Sequence, residues 1–233
     1  MPFSDEVRAR LDPDADQIIA RYPRSRSALL PLLHLVQSDE GYISDDGIDY
    51  CAARLGLAES EVASVVSFYT MFKRHPVGEY HVGVCTNTLC AIMGGDQILA
   101  DLHEYLGVGD DETTPDGKVS LEHVECNAAC DYAPVVMVNW EFFDNMTPGS
   151  ARDLVDGLRS GAKITLPRGP DRLCNWREAS RVLAGFPDGQ ADEGPQAGPP
   201  SLVGLRLAKE HGWTAPPPPT SATATSSSEE GKK

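Results

Sequence analysis

Up to about Pro76 the apolar residues fall three and four positions apart: Ile18, Ile19 and Tyr22, then Leu29, Leu30, Leu32, Leu33 and Val36, then Ile48, Cys51, Leu55 and Leu57, then Val62, Val65, Val66, Tyr69 and Phe72. That spacing puts each set on one face of a helix and predicts four short helices. Ser44 followed by Asp45, Asp46 and Gly47 reads as a helix start, Gly41 as the stop ahead of it, and Gly56 as the close of the third helix. Residues 1–76 are expected to form a small helical bundle.

From Gly78 the period changes to two. His81-Val82-Gly83-Val84 predicts a strand, and Ile98, Leu99, Leu102 and Leu106 mark the apolar face of a helix from Asp96 to Leu106. Asp116-Gly117 is a turn signal between Thr113-Thr114 and the alternating Val119, Leu121 and Val124. A further strand runs from Pro134 to Val138, and Asn139-Trp140 turns it into Phe142-Phe143. Thr147 and Pro148 open a last helix to Arg159, with Gly161 beyond it. Strand, helix, hairpins and helix in that order predict an α/β layered domain over 77–165.

Beyond Leu166 the pattern dissolves into Pro, Gly, Ala, Ser and charge, so 166–233 is expected to be a mostly disordered C-terminal extension, with disorder at 187–200 and 214–233. Trp176 and the segment Leu202 to Trp213 are apolar islands within it, and the second is expected to dock on a neighbouring subunit, with Leu205 and Trp213 as anchors.

Charge and composition narrow the function. Twenty basic against thirty-five acidic residues leave a net charge of -15, which repels phosphate backbones and anionic lipid and argues against nucleic-acid binding. The strongest apolar run, Ala28 to Leu33, is broken by Pro31 and far short of the roughly 20 residues of a membrane span. Met1 to Glu6 has no basic start of a signal peptide, so a cytoplasmic location is expected. In that compartment clustered cysteines are metal ligands or redox groups rather than disulfides.

Of the 6 cysteines, Cys51 lies in a helical apolar stripe and Cys174 stands alone. The rest form two pairs: Cys85 and Cys90 enclose Thr86 to Leu89, and Cys126 and Cys130 enclose Asn127 to Ala129. Each pair sits where a strand ends and a loop begins, so four thiolates can converge on one tetrahedral or binuclear site, the ligation a two-iron cluster requires. A structural zinc also takes four cysteines, but its usual two-residue gap is absent from both pairs, as is that of a thioredoxin-type redox dithiol. Thr86, Asn87, Thr88, Asn127, Ala128 and Ala129 are small or hydrogen-bonding, as loops that bring backbone amides to sulfur require. Gly94-Gly95 reads either as a place of close backbone approach or as an ordinary turn before a helix.

Other candidates are weaker. His81 and His123 flank the pairs but lie inside alternating strands; Gly117-Lys118 lacks the remaining residues of a phosphate loop. The acids Asp96, Asp101, Asp110, Asp111, Glu112, Glu122, Glu125 and Asp131 read as a solvated face.

Val84-Cys85-Thr86, Cys90, Gly94-Gly95 and Val124-Glu125-Cys126-Asn127-Ala128-Ala129-Cys130, followed by Ala133-Pro134 and Asn139, together resemble the thioredoxin-like [2Fe-2S] ferredoxin subunits of NADH-quinone oxidoreductases. Ser67-Phe68-Tyr69-Thr70-Met71-Phe72, with Pro76 and Gly78, is similar to the family's pattern before its first strand, and the likeness spans roughly 14–160. It implies an α+β fold in which a small helical bundle precedes a thioredoxin-like ferredoxin domain. It also implies one [2Fe-2S] cluster on Cys85, Cys90, Cys126 and Cys130, with no catalytic residue of the chain's own. As partners it implies an NADH- and FMN-binding flavoprotein subunit and the large iron-sulfur subunit of a peripheral arm, set against the inner membrane without insertion. The equivalent subunit of an NAD-linked hydrogenase or formate dehydrogenase shares these features. Where the family has Leu-Gly after its third ligand, this chain has Asn127-Ala128; if that position needs a positive φ, Ala128 carries a penalty of about 1 kcal/mol.

Overall fold

The structure, a computed structural model, describes residues 3–190, 193–194 and 197–217. It divides into two compact units, 1–196 and 197–233.

In the first unit the helical periods become α1 (Asp5–Ala20), α2 (Leu29–Glu40), α3 (Asp45–Leu55) and α4 (Glu59–Phe68), with a one-turn 3-10 helix at Ser25–Ala28 ahead of α2. The caps read from the sequence are in place. Ser44 Oγ accepts from Gly47 N at 3.0 Å, and Gly41 and Gly56 end α2 and α3 with φ of 89° and 66°, the left-handed conformation glycine adopts without a Cβ penalty. Leu11, Ile18, Leu32, Leu33, Val36, Ile43, Cys51 and Val62 fill a core of their own.

The second part of this unit is a five-stranded sheet in the order β2-β3-β1-β4-β5. Its strands are β1 (Tyr80–Cys85), β2 (Glu112–Thr113), β3 (Val119–Val124), β4 (Val136–Val138) and β5 (Glu141–Phe143). The turns anticipated at Asp116-Gly117 and Asn139-Trp140 join β2 to β3 and β4 to β5 as antiparallel pairs. β1 and β3 run parallel, connected through α5 (Thr88–Ile92) and α6 (Gly95–Leu106). Alternation sorts the two faces. Val82, Val84, Val119, Leu121, Val136 and Val138 point into one core with Ile98 and Leu102 of α6 and Val155 and Leu158 of α7 (Pro148–Ser160).

At the opposite face, chain from the extension packs against His81 and bonds to Asn139 and Glu79. Residues Trp176–Leu183 form α8, which packs on α2. Asn175 and Glu178 open it as a reciprocal capping box: Asn175 Oδ1 accepts from Glu178 N and Glu178 Oε2 from Asn175 N, both at 2.9 Å. Trp176 is fully buried. Its Nε1 donates to Gly41 O at 2.7 Å in the bundle, and its backbone N donates to Glu79 O at 2.8 Å beside the sheet. The apolar island at Trp176 is thus the joint between bundle and sheet.

In the second unit, Val203–His211 form α9, and Leu202, Val203, Leu205, Leu207 and Trp213 are exposed. The disorder expected at 187–200 and 214–233 falls in part on residues 191, 192, 195, 196 and 218–233, which lie outside the described residues.

Candidate metal centre

Parallel pairing of β1 and β3 decides where the cysteines go. Cys85 closes β1 directly opposite Val124, the last residue of β3, so the loops that follow both strands leave the sheet at the same end. One loop enters α5 and carries Cys90; the other carries Cys126 and then Cys130, which opens a one-turn 3-10 helix, Cys130–Tyr132. β4 completes the floor: Cys85 N donates to Val135 O at 3.2 Å, and Val135, Ala129 and Ala133 form a small apolar cluster around Cys85 and Cys90. The structure therefore carries the four cysteines on loops at one end of the sheet, while Cys51 is buried in the bundle and Cys174 lies in the extension.

Neighbouring sulfurs act on Cys90 and Cys130. Burial pushes the Cys90 thiol up to about 11, with further contributions from Cys85 and Cys130. Cys130, at the surface, is raised by local desolvation of its thiol and then by Cys126 and Cys85. Thiols that suppress each other's ionisation are the donor set that a cationic iron centre relieves, because metal ligation requires the thiolate form. Among the described residues, no three His, Cys, Asp or Glu side chains gather as one metal ion would require; the contacts run within each pair, Cys85 with Cys90 and Cys126 with Cys130. Exposure across the site is uneven. Cys85 and Cys90 are buried, whereas Cys126 and Cys130 are exposed.

The backbone is shaped to the sulfurs. Ala128 N donates to Cys126 Sγ at 3.3 Å, and Ala128 has a φ of 53°, so the position where glycine was expected from the family likeness does adopt a left-handed conformation. A Cβ on Gly95 would lie 2.5 Å from Cys85 O and 2.9 Å from Cys90 O. Close approach is therefore the role of Gly95, and the ordinary-turn reading applies to Gly94, whose φ is 113° and whose surroundings are open. Sequence spacing did not show this, since the carbonyls concerned come from two other segments.

His81 is engaged elsewhere. It is buried, with Nε2 2.6 Å from Glu122 Oε2 though out of line for a well-directed hydrogen bond, and its ring lies 5.1 Å from that of Trp176. Lys73 Nζ reaches Glu122 Oε1 at 2.6 Å. Burial acts to raise the Glu122 carboxyl, but His81 and Lys73 outweigh it and hold the group below its ordinary value. Glu122 is thus a correction to the solvated-face reading: it meets Lys73 and the His81 ring where the bundle meets the sheet. His123 is exposed.

The model of the thioredoxin-like [2Fe-2S] ferredoxin family matches residues 15–159. The chain belongs to that family. An NADH-quinone oxidoreductase subunit of Mycobacterium tuberculosis is 60% identical over 220 residues, covering 92% of this chain and 85% of that protein. NADH-quinone oxidoreductase subunit 2 of Thermus thermophilus is 38% identical over 167 residues, covering 70% of this chain and 90% of that one. In fold, the ferredoxin chain is similar to an NAD+-reducing [NiFe]-hydrogenase with a TM-score of 0.51 at 18% identity, over 57% of this chain and 23% of that one. Among the described residues, no helix of this ferredoxin is long and apolar enough to cross a membrane.

Proposed function

We propose that this chain is an electron-transfer subunit of an NADH-quinone oxidoreductase, holding one [2Fe-2S] cluster on Cys85, Cys90, Cys126 and Cys130 and exchanging single electrons with the FMN of a neighbouring NADH-binding subunit. The observation that carries the reading is the convergence of two cysteine pairs from the C-terminal ends of two parallel strands. When bound, the cluster would supply one-electron redox chemistry, with the four thiolates as its ligands. The chain's own residues tune it. Ala128 N–H aims at Cys126 Sγ and favours negative charge there, while Val135, Ala129 and Ala133 keep water from Cys85 and Cys90. Around Cys90, α5 and the residue after it present Ile92 (79% exposed), Met93 (54%) and Leu89 (42%), apolar side chains suited to the flavoprotein partner. The large iron-sulfur subunit of the peripheral arm is a second partner, and the complex places the chain on the cytoplasmic side of the inner membrane without insertion.

Serine at Cys85, Cys90, Cys126 or Cys130 is expected to abolish or strongly alter the cluster, while Cys51→Ser and Cys174→Ser leave it bound; iron, acid-labile sulfide and visible spectra read the outcome. Unchanged spectra in two of the four ligand variants would refute the assignment. A colourless protein containing zinc would instead make the site a structural interaction module. Copurifying subunits distinguish a quinone-reducing complex from an NAD-linked hydrogenase or formate dehydrogenase.

A further inference from the structure

Past residue 159, where the family match ends, the chain returns to the cysteine loops through Arg168. Its guanidinium carbon lies 4.8 Å from the ring centre of Tyr132 and 4.7 Å from that of Phe142. Arg168 Nη2 donates to Asp144 Oδ1 at 3.1 Å, and Nε stands 3.0 Å from Asp144 Oδ2. Both charged groups are largely out of water, with side chains 16% and 7% exposed. The two rings belong to the apolar packing around Cys85 and Cys90, and Tyr132 shares the one-turn helix that begins at Cys130. Asn145 N donates to Tyr132 O at 2.8 Å and Met146 N to Pro134 O at 2.9 Å, so the residues after Asp144 are tied to the same turn.

We propose that Arg168 is a positioning residue for the cluster: it clamps the Cys130 turn against β5 and, with Asp144, sets the local charge. The inference rests on the assignment of the cluster to the four cysteines. A planar guanidinium can lie between two aromatic faces and fork onto a carboxylate at once, whereas an ammonium cannot, so the clamp requires arginine. Reduction adds negative charge to the cluster, which a cation in this poorly solvated packing favours and a carboxylate opposes. The charges at this pair are Asp144 beside the guanidinium and Asp131 on the Cys130 turn; Glu125 precedes Cys126 in sequence and is exposed. Removing one member of the ion pair shifts the potential in the direction set by the charge left behind.

The test uses the full chain. Iron and sulfide are assayed first, then the midpoint potential by redox titration followed in the visible and EPR spectra, and the rate of cluster loss to a chelator. Arg168→Gln is expected to lower the midpoint and to speed cluster loss roughly tenfold. Asp144→Asn raises the midpoint, and the double variant lies between the two. Arg168→Lys keeps the midpoint near that of the unaltered chain yet loses cluster as fast as Arg168→Gln, separating charge from clamp. Midpoints unchanged in both single variants, or shifted in the same direction, would overturn the proposal. If Arg168→Gln fails to fold by far-ultraviolet circular dichroism, Asp144→Asn decides: a raised midpoint supports the inference and an unchanged one sinks it. Absence of iron and sulfide from the unaltered chain would remove the cluster assignment, and this inference with it; a bound cluster with unmoved potentials removes this inference alone.

Discussion

His34 shows what burial does to one titratable group. It sits on the inner face of α2, 4% exposed, its ring 4.8 Å from that of Phe72, and burial lowers its pKa to about 4. The folded state holds the ring neutral while the unfolded chain binds a proton near the ordinary histidine value of 6.5. Between those values the unfolded state carries more protons, so stability falls as pH falls, by about 3 kcal/mol when the window has been crossed. His34→Leu is expected to remove that dependence; urea midpoints from pH 7 to 4 check it, and equal acid losses in both proteins would rule it out. The apolar period of α2 predicted the helix that carries His34. Its neutrality, and the pairing of Glu122 with Lys73 and His81, depend on neighbours distant in sequence and were not legible there.

Among the elements, α6 and α8 show how a helix end can be readable while its purpose is not. The apolar face of α6 was plain from Ile98, Leu102 and Leu106, but its first residue, Gly95, presses on the carbonyls of Cys85 and Cys90. Gly95→Ala is expected to cost about 1–3 kcal/mol, since backbone cannot yield as a side-chain tip does, and to reduce iron content. Gly149→Ala, at the start of α7, where the nearest atom to a new Cβ is 3.9 Å away, should leave both stability and iron content unchanged or improved. Thermal melts with iron assays compare the two, and equal behaviour would count against a cradle at Gly95. For α8 the capping box Asn175-Trp176-Arg177-Glu178 is present as a motif, but eight helical residues in a Pro- and Gly-rich context gave too short a period to reveal a buried face.

For the molecule as a whole, the joint at Trp176 and the boundary between the two units make a pair of truncations informative. Ending the chain after Gln196 removes the second unit and leaves all three apolar clusters, so melting temperature and cluster content should be unchanged. Ending it after Pro167 removes Arg168 and buried Trp176, and is expected to cost at least the roughly 3–5 kcal/mol of a buried Trp→Ala change. Equal melting of the two shortened proteins would mean that α8 does not bind the bundle to the sheet. Local signals were enough for the helical periods and glycine stops of the bundle, the Asp116-Gly117 and Asn139-Trp140 turns, and the two cysteine pairs at strand ends. Periodicity and capping act over a few residues, so they can be read from a few residues. Only in the folded chain do β1 and β3 run parallel and deliver both pairs to one end of the sheet. Folding likewise set the carbonyls of Cys85 and Cys90 against Gly95, and brought Trp176 and Arg168 back from beyond the family's span to pack against the sheet and brace the Cys130 turn. These are contacts between segments far apart in the chain, where strand direction and steric fit, rather than any local pattern, select the partner.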